Sequence, residues 1–300
     1  MLTLKSMLFR NVKLFFKDKG LFFTSLITPL ILLVLYTTFL GNVYKDAFNM
    51  TITPLGYSAT EKIVNGFSGA QLFSSLLAVS PITVPFCANM LMVQDKVSGA
   101  RRDFLTTPLS KKTLALSYYL ATLIVSLIIC FFAVAICFIY IGVVGWFFNL
   151  LDVLLILLDV IILVLFGTAL SSLINGFLSS QGQISAVGSI VSSGYGFISG
   201  AYMPISSFSG WLKNLVAFLP GTYGTSLIRT HALSGVLREL KATGIPSEVT
   251  KEIADSVDCT IYFFDSAVPL WASYLIIGLS IVLAVGIFVL IKSRRSKTQN

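Results

Sequence analysis

The chain has 300 residues, of which 56% are hydrophobic and 11% charged, with a mean hydropathy of +0.89. A soluble domain carries roughly 25% charged residues, so this composition excludes a soluble globular protein and indicates a polytopic membrane protein. The net charge is +8, yet no Lys/Arg tract interleaved with aromatics lies outside the apolar segments, which argues against a nucleic-acid partner.

Residues 1–20 place Arg10, Lys13 and Lys17, with Ser6, on one helical face and Leu4, Met7, Leu8 and Phe15 on the other. This pattern predicts an interfacial helix lying on anionic lipid. It is not a signal peptide, because the apolar run that follows is too long and no small-x-small site comes after it. A first span is predicted at 21–40, where 20 residues cover the hydrocarbon core and Pro29 introduces a kink. The polar stretch 41–69, with Lys45, Asp46, Glu61 and Lys62, is assigned to an outer loop.

A second span is predicted at 70–93. Pro81 and Pro85 each remove a helical hydrogen bond, and the freed carbonyls need partners from other helices or water. The segment 94–112, QDKVSGARRDFLTTPLSKK, sets Lys96, Arg101, Arg102, Lys111 and Lys112 against Asp95 and Asp103. Such a cationic patch between two spans belongs on the cytoplasmic side. A short helix is predicted near 98–106, with Thr107 capping the next helix and Pro108 at its first position. The patch reads either as a docking hairpin for a cytoplasmic partner or as a plain positive-inside loop.

A third span is predicted at 114–141, followed by a short outer turn, 142–149, with Trp146 as an interfacial anchor. The fourth, 150–174, contains two acids, Asp152 and Asp159, seven residues apart on one face. Asp152 lies near the boundary, where water can solvate it. Asp159 is deeper, with no cation in any span to pair with it. It is the candidate intramembrane acid, either protonated or hydrogen-bonded to Ser, Thr or Tyr, and open to a structural, cavity-lining or proton-coupling role.

A fifth span, 184–202, repeats small residues every four positions at Gly188, Ser192, Gly196 and Gly200, a stripe that lets another helix approach closely. Residues 203–268 hold two short apolar stretches, 211–218 and 225–240, that fit a re-entrant or interfacial pair. A third small helix follows Pro246, with Val249, Ile253 and Val257 on one side and an acidic surface on the other. The last span is predicted at 269–291, and the basic tail 292–300 stays inside. Segments placed inside carry 14 Lys/Arg and those outside 7, so the predicted fold class is an all-α membrane protein with six transmembrane helices and both termini cytoplasmic.

Cys87, Cys130 and Cys137 lie in apolar stretches and Cys259 in a polar one, a distribution that forms neither a disulfide framework nor a metal set. His231, the sole histidine, reads as a structural or surface residue. No G-x-x-x-x-G-K-[ST], H-E-x-x-H or G-x-S-x-G motif occurs, so no ATP site, cofactor, metal or catalytic residue is expected. The polar inventory favours moving a substrate over reacting with it.

The whole chain resembles the membrane subunit of an ABC-2 type exporter. The shared features are the amphipathic amino-terminal helix (1–20), the hairpin 94–112 ending in Leu105-Thr106-Thr107-Pro108-Leu109-Ser110, the element Leu219-Pro220-Gly221-Thr222-Tyr223, and re-entrant outer helices before the last span. The resemblance implies a transmembrane domain over 21–300, an outer region over 203–268, and a homodimer or heterodimer of permease protomers in the plasma membrane of a prokaryote. It implies a separate ATPase subunit that binds the ATP and docks through Asp95, Gly99, Arg101, Arg102, Asp103 and Pro108. Pro85 and the stripe Gly188, Ser192, Gly196 and Gly200 are the expected pathway or dimer seam. The hairpin departs from the family in having few acids around Gly99. The expected activity is export of an amphipathic or hydrophobic substrate, such as a drug, an antimicrobial peptide or a lipid-like molecule. The rivals are an ion- or proton-coupled secondary transporter using Asp159, and an assembly or sensor protein that binds a ligand through 203–268.

Overall fold

The computed structural model describes residues 2–55, 57–264 and 266–297, and nearly all of it is helix. The amphipathic start forms α1, Leu2–Lys17. Asp18 then caps α2, Lys19–Leu35, by accepting from the Leu21 amide at 3.1 Å. A π-helical turn at Tyr36–Leu40 leads without a break into α3, Gly41–Ile52. Here the structure corrects the sequence reading: the start of the expected outer loop is helix, and the first apolar element runs from Lys19 to Ile52. Lys45 and Asp46 suggested a loop, but a helix that projects past the hydrocarbon keeps such residues in water.

The centre of the fold is α4, Glu61–Ala88. In its most apolar window 94% of residues are buried, against 22% in the last span, so α4 is wrapped by protein while α13 lies at the outside of the bundle. Lipid gives apolar side chains no reason to leave it, so α4 is held by close packing and hydrogen bonds. Its prolines do not break it. Pro85 leaves the Pro81 carbonyl without its amide, and Gly167 packs against that carbonyl where any Cβ would collide. The helix ends instead at Asn89, which is buried and donates to Ser172 Oγ at 2.9 Å. From there α5, Met90–Val97, and α6, Ala100–Thr106, form the hairpin, joined through Gly99 in the left-handed region at φ +86°.

The next helix, α7, covers Lys111–Val144, and its cap is Ser110 rather than Thr107. Pro108 lies in the turn before it, so the expected start at 107–108 is displaced by three residues. Next, α8, Leu150–Phe177, opens with Asn149 and Asp152 in a reciprocal capping box. α9 covers Gln181–Ile198. α10, Gly210–Val216, and α11, Pro220–Ala242, follow, with Pro220 in the first turn, where its missing N–H costs nothing. α12 is Ser247–Ser256, β1 (Tyr262–Phe263) pairs antiparallel with β2 (Ser266–Ala267), and α13 spans Leu270–Lys297. Residues 298–300 of the basic tail lie outside the described residues.

Among the described residues, five helical stretches are long and apolar enough to cross a membrane: Lys19–Ile52, Glu61–Val97, Lys111–Val144, Leu150–Phe177 and Leu270–Leu290. The expected fifth span corresponds to α9, which is shorter and carries two glutamines and four serines. α11 is embedded among α4, α8 and α13: Leu227, Ile228, Ala232 and Leu233 are all buried, and Gly224 packs under Leu163.

Candidate functional site

The hairpin is latched to the amino-terminal helix. Arg10 of α1 grips Asp95 of α5 with both guanidinium arms, Nη1–Oδ2 at 2.7 Å and Nη2–Oδ1 at 3.0 Å. Tyr118 of α7 donates to the same carboxylate at 2.5 Å. Asn11 donates to Ser117, and the Arg10 guanidinium stacks 4.6 Å over the Phe104 ring of α6. Asp95 raises the Arg10 guanidinium above its ordinary value, and burial opposes it. A forked, partly desolvated pair of this kind fixes orientation as well as proximity. A small apolar cluster of Met92, Leu109, Leu114 and Tyr118 seals the base.

The residues singled out in the hairpin therefore divide. Asp95 is buried and turned inward onto Arg10 and Tyr118. Gly99 and Arg101 are half-buried, while Arg102, Asp103 and Pro108 are exposed. Pro85 is buried in α4. In α9 the stripe meets this chain's own side chains. Gly188 faces Met90, Gly196 lies under the Tyr202 ring, and the Ser192 carbonyl accepts from Tyr202. Gly200 follows the helix in the left-handed region, φ +75°.

Asp159 has a hydroxyl partner of the expected kind, Tyr274, and a second partner, His231, that the sequence did not reveal. It is fully buried, with Oδ2 2.6 Å from His231 Nδ1 of α11 and Oδ1 accepting from Tyr274 of α13 at 2.6 Å. No span supplies a cation because the partner comes from α11, which lies outside the five apolar stretches. Asp152 is buried too, rather than solvated. It accepts from Ser234 at 2.7 Å and from both arms of Arg238. One helix, α11, thus pins both acids of α8 through residues spaced three to four apart on one face. An acid in a span requires a partner, and that requirement together with the single histidine was the available signal.

A third set of contacts joins α11 to the end of α9. Arg229 is fully buried, and it donates to the Val257 carbonyl at 2.9 Å and the Gly200 carbonyl at 3.0 Å. It also faces Asp258 at 3.5 Å. Asp258 accepts from the Ile205 and Ser206 amides. Burial holds the Asp258 carboxyl above its usual range, against the pull of Arg229. Beside it, an open pocket of about 340 Å³ is bordered by Lys213, Asp255 and Tyr262. Among the described residues, no three His, Cys, Asp or Glu side chains converge as a metal set would.

The hairpin latch, the buried core helix and the pinned acids tie α1, α4, α5, α7, α8 and α11 to one another. A search of curated proteins finds no match. The ABC-2 type transporter family matches residues 3–232, more than two thirds of the chain and all of the hairpin, α4 and the start of α11. The chain is a multi-pass membrane protein of the ABC-2 type transporter family.

Proposed function

We propose that this chain is the permease subunit of an ATP-driven exporter in a prokaryotic plasma membrane, energised by a separate ATPase subunit and paired with a second permease protomer. The observation that carries this reading is the Arg10–Asp95–Tyr118 latch. It ties α1, the hairpin and the base of α7 into one block that continues through Asn89 into α4. A push on α6 is thereby delivered to the most buried helix of the fold.

In this reading the exposed face, Arg102, Asp103 and Pro108 with Arg101 at its edge, meets the ATPase. Asp95 acts behind it by holding Arg10. Gly99 supplies the bend. α9 is the sixth membrane crossing, α10 and α11 are the re-entrant pair, and both termini are cytoplasmic. The pathway or dimer seam runs along α9 and the Pro85 end of α4. The cargo is amphipathic or hydrophobic, because the apolar spans carry so few charges.

The test is uptake of an amphipathic fluorescent dye into inside-out vesicles containing the permease with its co-expressed ATPase. ATP-dependent uptake that vanadate blocks is the expected result, and uptake indifferent to ATP contradicts it. A second reading, an ion- or proton-coupled secondary transporter, draws on the buried Asp159–His231–Tyr274 set. It requires transport driven by a pH gradient alone and abolished by Asp159→Asn.

A further inference from the structure

The interior of the fold contains polar atoms that no described residue satisfies with a well-formed hydrogen bond. Gln71 of α4 is fully buried, and among the described residues neither its amide nitrogen nor its oxygen has a hydrogen-bond partner. Ser75, one turn along the same face, is fully buried, and among the described residues its hydroxyl makes no well-formed hydrogen bond, leaning only on the Tyr36 hydroxyl. Arg229 spends both terminal nitrogens on carbonyls, and its Nε is left over. Buried polar groups in native proteins are nearly always paired, so each orphan calls for a reason.

These atoms share one seam. Leu72 and Val79 of α4 belong to the cluster of Tyr36 and Tyr44, while Phe67 and Ala70 belong to the one formed with Phe48 of α3 and Leu233 and Val236 of α11. Helical periodicity places Gln71 and Ser75 on the strip between those two sides. The Tyr36 hydroxyl lies within hydrogen-bonding reach of Ser75 and feels the charge of Arg229. Tyr36 and Arg229 also converge on a single acceptor, the Ala201 carbonyl, each at 3.4 Å. The seam therefore lies where α2, α4, α11 and the end of α9 meet. All three orphaned side chains are shut off from solvent in this conformation.

We propose that Gln71, Ser75 and the Nε edge of Arg229 form a hydrogen-bonding subsite for an amide or hydroxyl group of the transported molecule, exposed when these helices part. A carboxamide with both its N–H and C=O free complements a peptide group donor to acceptor, and the Ser75 hydroxyl serves either role. An apolar cargo would leave the subsite unpaired, so it selects amphipathic molecules carrying such a group over plain hydrocarbons. This inference rests on the permease reading given above.

The test uses membrane vesicles containing the permease with its co-expressed ATPase. Ser75→Cys is compared with Ser74→Cys, an equally buried neighbour whose hydroxyl is already bonded to the Gln71 backbone carbonyl. During ATP turnover, Ser75→Cys should react with 2-aminoethyl methanethiosulfonate several-fold faster than Ser74→Cys. N-octylacetamide, an amphipathic amide, should slow that reaction, and decane should not. Equal reactivity at the two positions overturns the proposal. Faster reaction at Ser75→Cys that N-octylacetamide leaves unchanged shows a seam that holds water alone, and it overturns the proposal too. Amide protection without ATP dependence supports the subsite and contradicts the ATP-driven reading instead. A second measurement is independent of the cysteine variants. N-octylacetamide should raise the melting temperature of the parent in nanodiscs and leave that of Gln71→Leu unchanged, and equal shifts in the two proteins contradict the subsite.

Discussion

His231 Nδ1 and Asp159 Oδ2 stand 2.6 Å apart, both buried, and join α11 to α8 at the depth where Tyr274 joins α13 to the same carboxylate. Three helices thus meet on one side chain. His231→Ala strands a buried acceptor and should cost about 1–3 kcal/mol. Asp159→Asn keeps an acceptor for Tyr274 and should cost less. Thermal melting in detergent orders the two variants, and a His231→Ala protein that melts with the parent contradicts this assignment.

The Arg10–Asp95 pair should show a coupling energy of roughly 1–2 kcal/mol, above the few tenths common for exposed pairs, because the carboxylate is buried and bridged at both oxygens. A double-mutant cycle of Arg10→Ala with Asp95→Asn measures it. Arg10→Lys should lose most of the coupling, since an ammonium cannot bridge both oxygens. Coupling within error of zero would mean that α1 is held by Met7 and its neighbours alone.

Glycine at 167 separates two kinds of substitution. Gly167→Ala drives a methyl into the Pro81 carbonyl, a backbone atom that cannot swing aside. It should destabilise by about 1–3 kcal/mol. Gly278→Ala, in α13, meets nothing within 4 Å and should stabilise by about 0.5–1 kcal/mol through helix propensity. Melting of the two variants in parallel checks the signs, and a Gly167→Ala protein as stable as the parent contradicts the close packing of α4 on α8.

Burial pushes the Cys259 thiol up to about 12, with Asp258 and Asp255 adding to the shift and Arg229 opposing it. The neutral thiol is therefore favoured, and the reactive thiolate is scarce at neutral pH and grows as pH rises. Maleimide at pH 7 should leave Cys259 unmodified in the folded protein, with labelling increasing steadily towards pH 10. Intact mass before and after denaturation reads this directly. Full modification at pH 7 without denaturant would contradict it.

Apolar runs in the sequence located the helices because lipid demands long, uncharged segments. The hairpin was equally legible from its charges, and α12 from Val249, Ile253 and Val257. What stayed hidden depends on distant pairings. Lys45 and Asp46 read as a loop, although α3 simply continues past the apolar stretch. Asp159 and His231 lie 72 positions apart, and the partner helix α11 has too weak an apolar pattern to be placed among the spans. Thr107-Pro108 looked like a helix start, but the Ser110 hydroxyl accepts from the Thr113 amide and displaces the start. Asp95 was legible as important from its place in the hairpin, while its inward turn onto Arg10 follows from how α1 packs on α7.

The most direct measurement is gentle purification of the protein from its native host, in parallel with a variant in which Arg101 and Arg102 are both changed to glutamate. The account predicts that an ATP-hydrolysing subunit accompanies the parent and is lost from the variant, while the variant still folds and reaches the membrane. An ATPase that stays bound to the variant would move the docking site away from α6. No ATPase with the parent, even after cross-linking, would contradict the central claim.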